Sequence, residues 1–198
     1  MKCGGSRLKE LIVPIVLSVQ FAVIHLYCLL TYHTQVTDKD LLHFAYVGYT
    51  TMFLNSLVNF TSFGTDESFC ELRLLLDYAQ LTLALPCFTT EVWIANSVGA
   101  NEVAVLHALF GLSAFFFYVL MEYKRQDLTD LALIISGLSS LLVGLIYANY
   151  FASGAALVYL VGYFFVKRKQ TCGLEASGAY NYIMAANQIA LEENQNGS

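Results

Sequence analysis

The sequence predicts an all-α membrane protein, a six-transmembrane-helix bundle with the N- and C-termini both cytosolic. Three observations predict this fold class: a high apolar content, its concentration in long runs, and the placing of lysine and arginine between those runs. Of the 198 residues, 57% are hydrophobic and 13% are charged, whereas a soluble domain is about 45–50% apolar and about 25% charged. Long apolar runs, rather than amphipathic spacing, are typical of membrane helices.

The apolar runs define six spans. The first follows the basic segment 1–10, is longer than the apolar region of a signal peptide and lacks a small-residue cleavage site, so it predicts a retained helix. The last two are separated by the small and polar residues 148–154, because their combined run is too long for one crossing. The predicted spans are Leu11–Tyr32, Leu41–Ser62, Leu72–Ala95, Val103–Glu122, Leu131–Tyr147 and Ala152–Val166.

Positive charges set the predicted orientation, since lysine and arginine are retained on the cytosolic side of membrane proteins. With six spans, one side of the membrane holds only Lys39, and the other side holds Lys2, Arg7, Lys9, Arg73, Lys124, Arg125, Lys167, Arg168 and Lys169. The chain therefore divides into a cytosolic N-terminus (1–10), a transmembrane domain (11–168) and a partly disordered cytosolic tail (169–198).

Composition also excludes some classes of function. The formal net charge of −5 argues against nucleic-acid binding, which requires a basic surface. The five cysteines are odd in number and lack C-x-x-C spacing, so they support neither a disulfide framework nor a zinc ribbon. No glycine-rich phosphate loop and no G-x-S-x-G motif occurs, and no cofactor is expected.

The third span carries polar residues that share one helical face and therefore form a candidate polar seam. The face continues on the next span, and positions equidistant from Gly99 in the connecting loop have equal depth in a symmetric hairpin. This register predicts that Glu91 meets His107 and that Gln80 meets Tyr118, with small residues between them. The seam comprises Asp77, Gln80, Ala84, Cys87 and Glu91 on the third span and His107, Gly111, Ala114, Tyr118 and Glu122 on the fourth.

Two interpretations of this seam are open. In the first, the polar groups only hold the helices together, with interhelical hydrogen bonds of roughly 0.6 kcal/mol each. In the second, Glu91 and His107 form a protonatable pair that serves proton coupling or a pH-sensitive gate.

A second polar group lies nearer the cytosolic side. Asn55 and Asn59 are one helical turn apart on the second span, and Asp77 and Gln80 begin the third. Arg73 precedes Asp77 by four residues, which predicts an ion pair between them. Pro86 inside the third span is expected to bend the helix or to free a carbonyl group.

The four histidines all lie in the half away from the cytosol in this topology. Histidines that converge with a carboxylate could bind zinc or serve an intramembrane hydrolase, but none shows H-E-x-x-H spacing. No metal ligand is therefore assigned. The histidines are His25, His33, His43 and His107.

The fifth span has the clearest packing signal, a small residue at every fourth position. Such small-xxx-small stripes let membrane helices approach closely, so the stripe predicts packing against the sixth span or dimerisation. The stripe comprises Ala132, Ser136, Ser140, Gly144 and Ala148.

Two segments, LPCFTTEVWIANSVGAN from Leu85 to Asn101 and ANYFASGAA from Ala148 to Ala156, carry a resemblance to a known family. Through Leu85-Pro86, Trp93, Asn96 and Ala148-Asn149-Tyr150 the chain resembles the transmembrane protein 276-like group of small multipass proteins. The resemblance covers about a fifth of the chain and implies a multipass membrane protein without an assigned activity.

These observations predict an integral, multi-pass protein of the endomembrane system or plasma membrane. Its expected role is that of a non-catalytic accessory or scaffold protein, with the lipid bilayer and either another membrane protein or a second copy as partners. The alternatives are a small transporter or proton-coupled channel that uses the Glu91/His107 seam and, third, an intramembrane hydrolase.

Overall fold

A computed structural model describes residues 4–35, 43–61, 68–96, 98, 101–121 and 125–167. Within these residues the chain forms six α-helices and no strand, as the fold class predicted. The helices are α1 (Gly4–Gln35), α2 (Phe44–Thr61), α3 (Ser68–Ala95), α4 (Asn101–Met121), α5 (Gln126–Ile146) and α6 (Tyr150–Val161), which continues as a π-helical segment, Gly162–Lys167. The predicted tail, 169–198, lies outside the described residues.

Three helical segments are long and apolar enough to cross a membrane: Ile15–Thr34, Asn101–Met121 and Gln126–Ile146. A shorter apolar helix runs from Ala152 to Phe164. Large apolar side chains are exposed on the outward faces of α1, α4 and α5, among them Val23, Leu120 and Ile146. Exposed apolar faces on helices of this length suit contact with lipid.

Helix α3 is the centre of the bundle and packs against α2, α4, α5 and α6. Every residue from Tyr78 to Cys87 is buried, as expected for a helix surrounded by other helices. The largest core cluster joins α3 to α2, α5 and α6 and contains Met52, Tyr78, Leu81, Ala84, Leu85, Leu133, Tyr159 and Tyr163. The polar residues of α3 therefore face different neighbours.

The chain turns between α5 and α6 inside the predicted break at 148–154. Ala148 has a φ of 58°, a left-handed conformation that ends α5. The Asn149 side chain accepts a hydrogen bond from the backbone N–H of Ala152 at 3.2 Å and so caps α6. Because of this cap, α6 begins at Tyr150, two residues before the predicted start at Ala152.

Candidate functional site

The carboxylate of Glu91 joins three parts of the chain. The Tyr32 hydroxyl on α1 donates a 2.6 Å hydrogen bond to Glu91 Oε1. Nδ1 of His43, just before α2, lies 3.2 Å from the same carboxylate oxygen and 3.1 Å from the Tyr32 oxygen. Since the Tyr32 hydroxyl donates to Glu91, its oxygen can accept a hydrogen bond from His43 when Nδ1 carries a proton. We call Tyr32, His43 and Glu91 the Glu91 cluster.

The second oxygen of the same carboxylate meets the N-terminus of α2. Glu91 Oε2 accepts a hydrogen bond of 3.4 Å from the backbone N–H of Ala45. The first N–H groups of a helix have no partner within the helix, and the N-terminus favours negative charge. Glu91 therefore caps α2 from α3, while its side chain remains 19% exposed.

Aromatic rings hold the Glu91 cluster in place. The Tyr32 ring packs against the rings of Tyr46 and Tyr49, with centroids 5.1 and 5.8 Å away. The Tyr49 ring also meets Phe88 of α3 edge-on at 4.9 Å. These edge and tilted contacts are the preferred geometries of aromatic pairs, and they fix the rotamer of Tyr32.

The predicted contact between Glu91 and His107 is not formed, and this prediction was wrong. Nε2 of His107 instead lies 3.1 Å from the hydroxyl of Ser139 on α5, which accepts a 2.7 Å hydrogen bond from the indole N–H of Trp93. The Trp93 ring also packs on the His107 ring, with centroids 5.4 Å apart. We call Trp93, His107 and Ser139 the Trp93 junction, which binds α3, α4 and α5 together.

Ser139 joins Trp93 and His107 at the Trp93 junction. Its oxygen accepts from the Trp93 indole N–H, and it can either donate to Nε2 of His107 or accept a second hydrogen bond from it, depending on the tautomer of His107. Nδ1 of His107 is buried and has no hydrogen-bond partner among the residues that the structure describes. His107 is therefore a packing residue of a three-helix junction.

α3 meets α4 through Pro86 and Thr90, each one residue before the predicted contact residues Cys87 and Glu91. Thr90 Oγ1 donates to the Ala104 carbonyl at 3.0 Å and accepts from the Ala108 N–H at 3.2 Å. One turn earlier, Pro86 lies against Gly111. Thr90 and Ala108 are equidistant from Gly99, as the hairpin register requires. The register therefore agrees for this pair, but α3 is rotated by about 100° and turns Glu91 toward α1 and α2.

Gln80 and Tyr118 also have other neighbours than those predicted. The Gln80 carboxamide oxygen accepts a hydrogen bond from Asn55 Nδ2 on α2, and the Tyr118 ring packs on the Tyr78 ring at a centroid distance of 4.6 Å. Gln80 therefore points toward α2, whereas Tyr118 takes part in the aromatic packing between α3 and α4.

Asn55 is the centre of a second polar group between α2 and α3. Its Nδ2 also donates to Asp77 Oδ1 at 3.0 Å. The amide of Asn59 donates to the backbone oxygen and to Oδ1 of Asn55, at 2.9 and 3.0 Å. The structure thus brings Asn55 and Asn59 together and joins them to Asp77 and Gln80. We call these four residues the Asn55 cluster.

The predicted ion pair between Arg73 and Asp77 was wrong. The two ion pairs among the residues that the structure describes are His43 with Glu91 and Arg125 with Asp127. Asp77 is oriented by the neutral amide of Asn55 instead. An amide that lies across the helix interface satisfies the carboxylate without the loss of side-chain entropy that a long arginine would incur.

The small-residue stripe of α5 packs inside the chain. Ala132, Ser136, Ser140 and Gly144 are buried, whereas Ala148 lies in the turn and is exposed. Thr89 of α3 donates to the Ser136 carbonyl at 3.1 Å, and Gly144 lies against the α6 backbone near Ser153. The stripe therefore packs against both α3 and α6 and is not an open surface for dimerisation.

The four histidines contact different partners. His25 pairs with Ser56, His33 with Tyr46, His43 with Glu91, and His107 with Ser139. Within the part of the chain that the structure describes, no three side chains of histidine, cysteine, aspartate or glutamate group together to hold a metal ion. This geometry gives no support to a zinc site or to a histidine-based hydrolase.

Sequence reasoning missed several residues that form the contacts above. Tyr32, Thr90, Trp93 and Ser139 pair with partners 11 to 59 positions away in the chain. Helical spacing reports only which residues of one helix share a face. The only available signal was the presence of hydroxyl and indole groups inside apolar runs, which require partners at membrane depth.

The fold and these clusters define a class: an all-helical protein with helices able to cross a membrane and polar groups paired between them. Comparison of the chain with family models, curated proteins and solved structures finds no match in any of the three.

Proposed function

We propose that the protein crosses the membrane six times with both termini in the cytosol. In this topology, nine of the ten lysines and arginines lie on the cytosolic side. The same topology places α3 in the membrane, although α3 is not among the three helical segments that are long and apolar enough to cross it. Its neighbours in the bundle satisfy its polar groups, which makes this insertion possible.

We further propose a non-catalytic role, as an accessory or scaffold protein of the endomembrane system or plasma membrane that binds other membrane proteins or itself. The observation that carries this proposal is the closed contact between α3 and α4. A Cβ atom on Gly111 would meet the Pro86 ring at 2.8 Å and the backbone oxygen of Thr82 closer still. A transporter that used this seam would need room for a substrate beside Gly111.

The paired polar groups also support this role. The Glu91–His107 contact required by the transport alternative is not formed, and each residue is hydrogen-bonded elsewhere. Large apolar side chains remain exposed on the outward faces of α1, α4 and α5, and also on parts of α2, α3 and α6, where lipid or a partner helix would lie.

Topology is tested by tags at each terminus and by glycosylation acceptors inserted in turn into each loop. We expect antibodies to reach both tags only after the plasma membrane has been permeabilised, which exposes the cytosol. Acceptors in the first, third and fifth loops should be glycosylated. The natural sequon at Asn59 is a built-in negative control, because Asn59 is buried and hydrogen-bonded to Asn55. Glycosylation of an acceptor in the second or fourth loop would contradict the topology.

Partner binding is tested with a photo-crosslinking amino acid at one exposed position on each outward helix. Val23, Phe117 and Leu138 are suitable, because their side chains are 61, 41 and 50% exposed. A scaffold predicts that one of the three faces crosslinks to a protein in native membranes while the others crosslink to lipid. Lipid adducts alone at all three positions would contradict the proposed role.

A further inference from the structure

One polar side chain of α1 faces outward at membrane depth. Gln20 is exposed and forms no hydrogen bond with any other residue that the structure describes. The apolar segment of α1 runs from Ile15 to Thr34, so Gln20 lies about 7 Å from the middle of that segment along the helix axis. Half of the hydrocarbon core of a bilayer is about 15 Å thick. The Gln20 amide is therefore inside the hydrocarbon and not at its boundary with water.

Other outward-facing polar groups of the helices are satisfied within their own helix. The Thr51 hydroxyl on α2 donates to the Val47 carbonyl at 2.7 Å, and the Ser113 hydroxyl on α4 donates to the Phe110 carbonyl at 2.8 Å. Short hydroxyl side chains bond to a preceding carbonyl in this way. The amide of Gln20 has two N–H donors and one acceptor oxygen, and it bonds to no described residue. Because an unsatisfied amide in hydrocarbon is costly, this position favours a partner on another molecule.

The exposed face around Gln20 has the spacing of a coiled-coil seam. A repeat of 3.5 residues keeps one face of a helix toward a partner helix over several turns, and a single polar residue in such a seam fixes its register and oligomeric state. The four apolar residues of the face are 47, 61, 59 and 56% exposed, in chain order. The face comprises Val16, Gln20, Val23, Tyr27 and Leu30, and we call it the Gln20 face.

The rest of the chain leaves the Gln20 face uncovered. α1 packs chiefly against α2 and does so through its opposite face, where Phe21, His25 and Cys28 are buried. Of the three helical segments able to cross a membrane, the segment of α1 is the least buried within the chain. A second helix can therefore lie along the Gln20 face without displacing any helix of the bundle.

We propose that the Gln20 face binds the same face in a second copy of the chain, around a two-fold axis along the membrane normal. All copies cross the membrane in the same direction, so two α1 helices at this interface are parallel and their Gln20 side chains stand at equal depth. Each amide both donates and accepts, so the two can exchange reciprocal hydrogen bonds. The Gln20 face is thus self-complementary, whereas a different membrane protein would need a polar side chain of its own at this depth.

This inference rests on the proposed membrane crossing of α1 and deepens the scaffold role. It names the partner as a second copy and the surface as the Gln20 face. The outward faces of α4 and α5 remain available to lipid or to other proteins.

The first test counts the copies in each assembly. The full chain, with one fluorophore on a C-terminal tag, is reconstituted in liposomes at low density, and single assemblies are photobleached. Wild type is expected to bleach mostly in two steps. Q20L should lower the dimer fraction several-fold although it makes α1 more apolar, and Q20N, which keeps an amide, should retain more of the dimer than Q20L.

S113A is the matched control for Q20L, because it also removes an outward-facing polar group, but one that bonds to its own helix. It should dimerise as wild type does. Single-step bleaching of wild type at every protein density would overturn the inference, as would a Q20L dimer fraction equal to wild type or a loss in S113A as large as that in Q20L. If alkaline carbonate removes the protein from the liposomes, the membrane crossing fails and the dimer fails with it.

A second test separates the dimer from the scaffold role in native membranes. A photo-crosslinking amino acid at Val23, in two co-expressed copies with different tags, should give a species that carries both tags. Adducts of Val23 with a different protein or with lipid, without that species, overturn the dimer alone if Phe117 or Leu138 still crosslinks to a protein. Lipid adducts alone at all three positions overturn the dimer and the scaffold role together.

Discussion

Gly111 on α4 lies directly against Pro86 on α3, and a Cβ atom at position 111 would stand 2.8 Å from the proline ring. Because Pro86 has no N–H, the carbonyl of Thr82 one turn earlier loses its partner within the helix. Gly111 covers this carbonyl, since the same Cβ would collide with the Thr82 oxygen. The proline of α3 and the glycine of α4 thus form one close contact.

Replacing Gly111 by alanine is expected to destabilise the protein by about 1–3 kcal/mol, because backbone atoms of α3 cannot move aside as a side chain can. G154A on α6 is the matched control, since nothing lies within 4 Å of its added Cβ. There, the better helix propensity of alanine should stabilise the protein by about 0.5–1 kcal/mol. Thermal unfolding in detergent measures both variants, and an equal stability of G111A and wild type would contradict the close contact.

The two glycines of α5 should differ in their tolerance of alanine. At Gly137 the added Cβ meets the end of the flexible Leu160 side chain at 2.7 Å, whereas at Gly144 it meets the backbone oxygen of Asn149 at 2.7 Å. A side chain can change rotamer, but the α6 backbone cannot retreat without separating the helices. We therefore expect G144A to lower the melting temperature more than G137A, and the reverse order would contradict the packing of α5 on α6.

The hydrogen bond from Tyr32 to Glu91 should contribute measurably to stability. Y32F removes a 2.6 Å bond to a carboxylate and should cost about 1–2 kcal/mol. Y46F is the matched control, because among the described residues the Tyr46 hydroxyl bonds to the exposed side chain of His33 alone, and it should cost little. Unfolding of Y32F, E91Q and the double variant measures the coupling energy, and additive effects would show that the two groups do not interact.

Asn55 should be more important to stability than Arg73. N55A leaves the buried amide of Gln80 and the carboxylate of Asp77 without the donor that joins them, a loss of about 1–3 kcal/mol. N55D should be worse, because it places a second carboxylate against Asp77. R73A removes a side chain that forms no ion pair with Asp77 and should leave the melting temperature unchanged. A larger fall in melting temperature for R73A than for N55A would contradict this assignment and support an Arg73–Asp77 ion pair.

The sequence predicted the helices well because each apolar run is long and bounded by polar residues. The turn at Ala148 followed from the polar break between two short spans. The relative rotation of the helices could not be predicted in the same way. On α3, Thr82, Pro86 and Thr90 recur at the same spacing as the predicted face of Cys87 and Glu91, and periodicity alone does not choose between them.

The partners of Glu91 show the same limit. Its spacing with Gln80 and Asp77 suggested one shared seam, but α3 is buried on all sides from Tyr78 to Cys87, and its polar side chains hydrogen-bond to four helices, α1, α2, α4 and α5. Gln80 and Asp77 bond to Asn55 on α2, whereas Trp93 bonds to Ser139 on α5. A sequence pattern can assign a face only where a helix has one buried side, and α3 has several.

The central position of α3 also constrains the order in which the protein can assemble. When α3 leaves the ribosome, α1 and α2 are present to meet Glu91 and Asp77, but the partners of Thr89 and Trp93 on α5 have not yet been made. The Trp93 indole has no acceptor on α5 until Ser139 follows, whereas the Thr89 hydroxyl can already donate to the Leu85 carbonyl of its own helix. The third helix thus completes its interhelical hydrogen bonds only after the fifth has been made, and a chain that ends after α4 is expected to form a less stable bundle than the full chain.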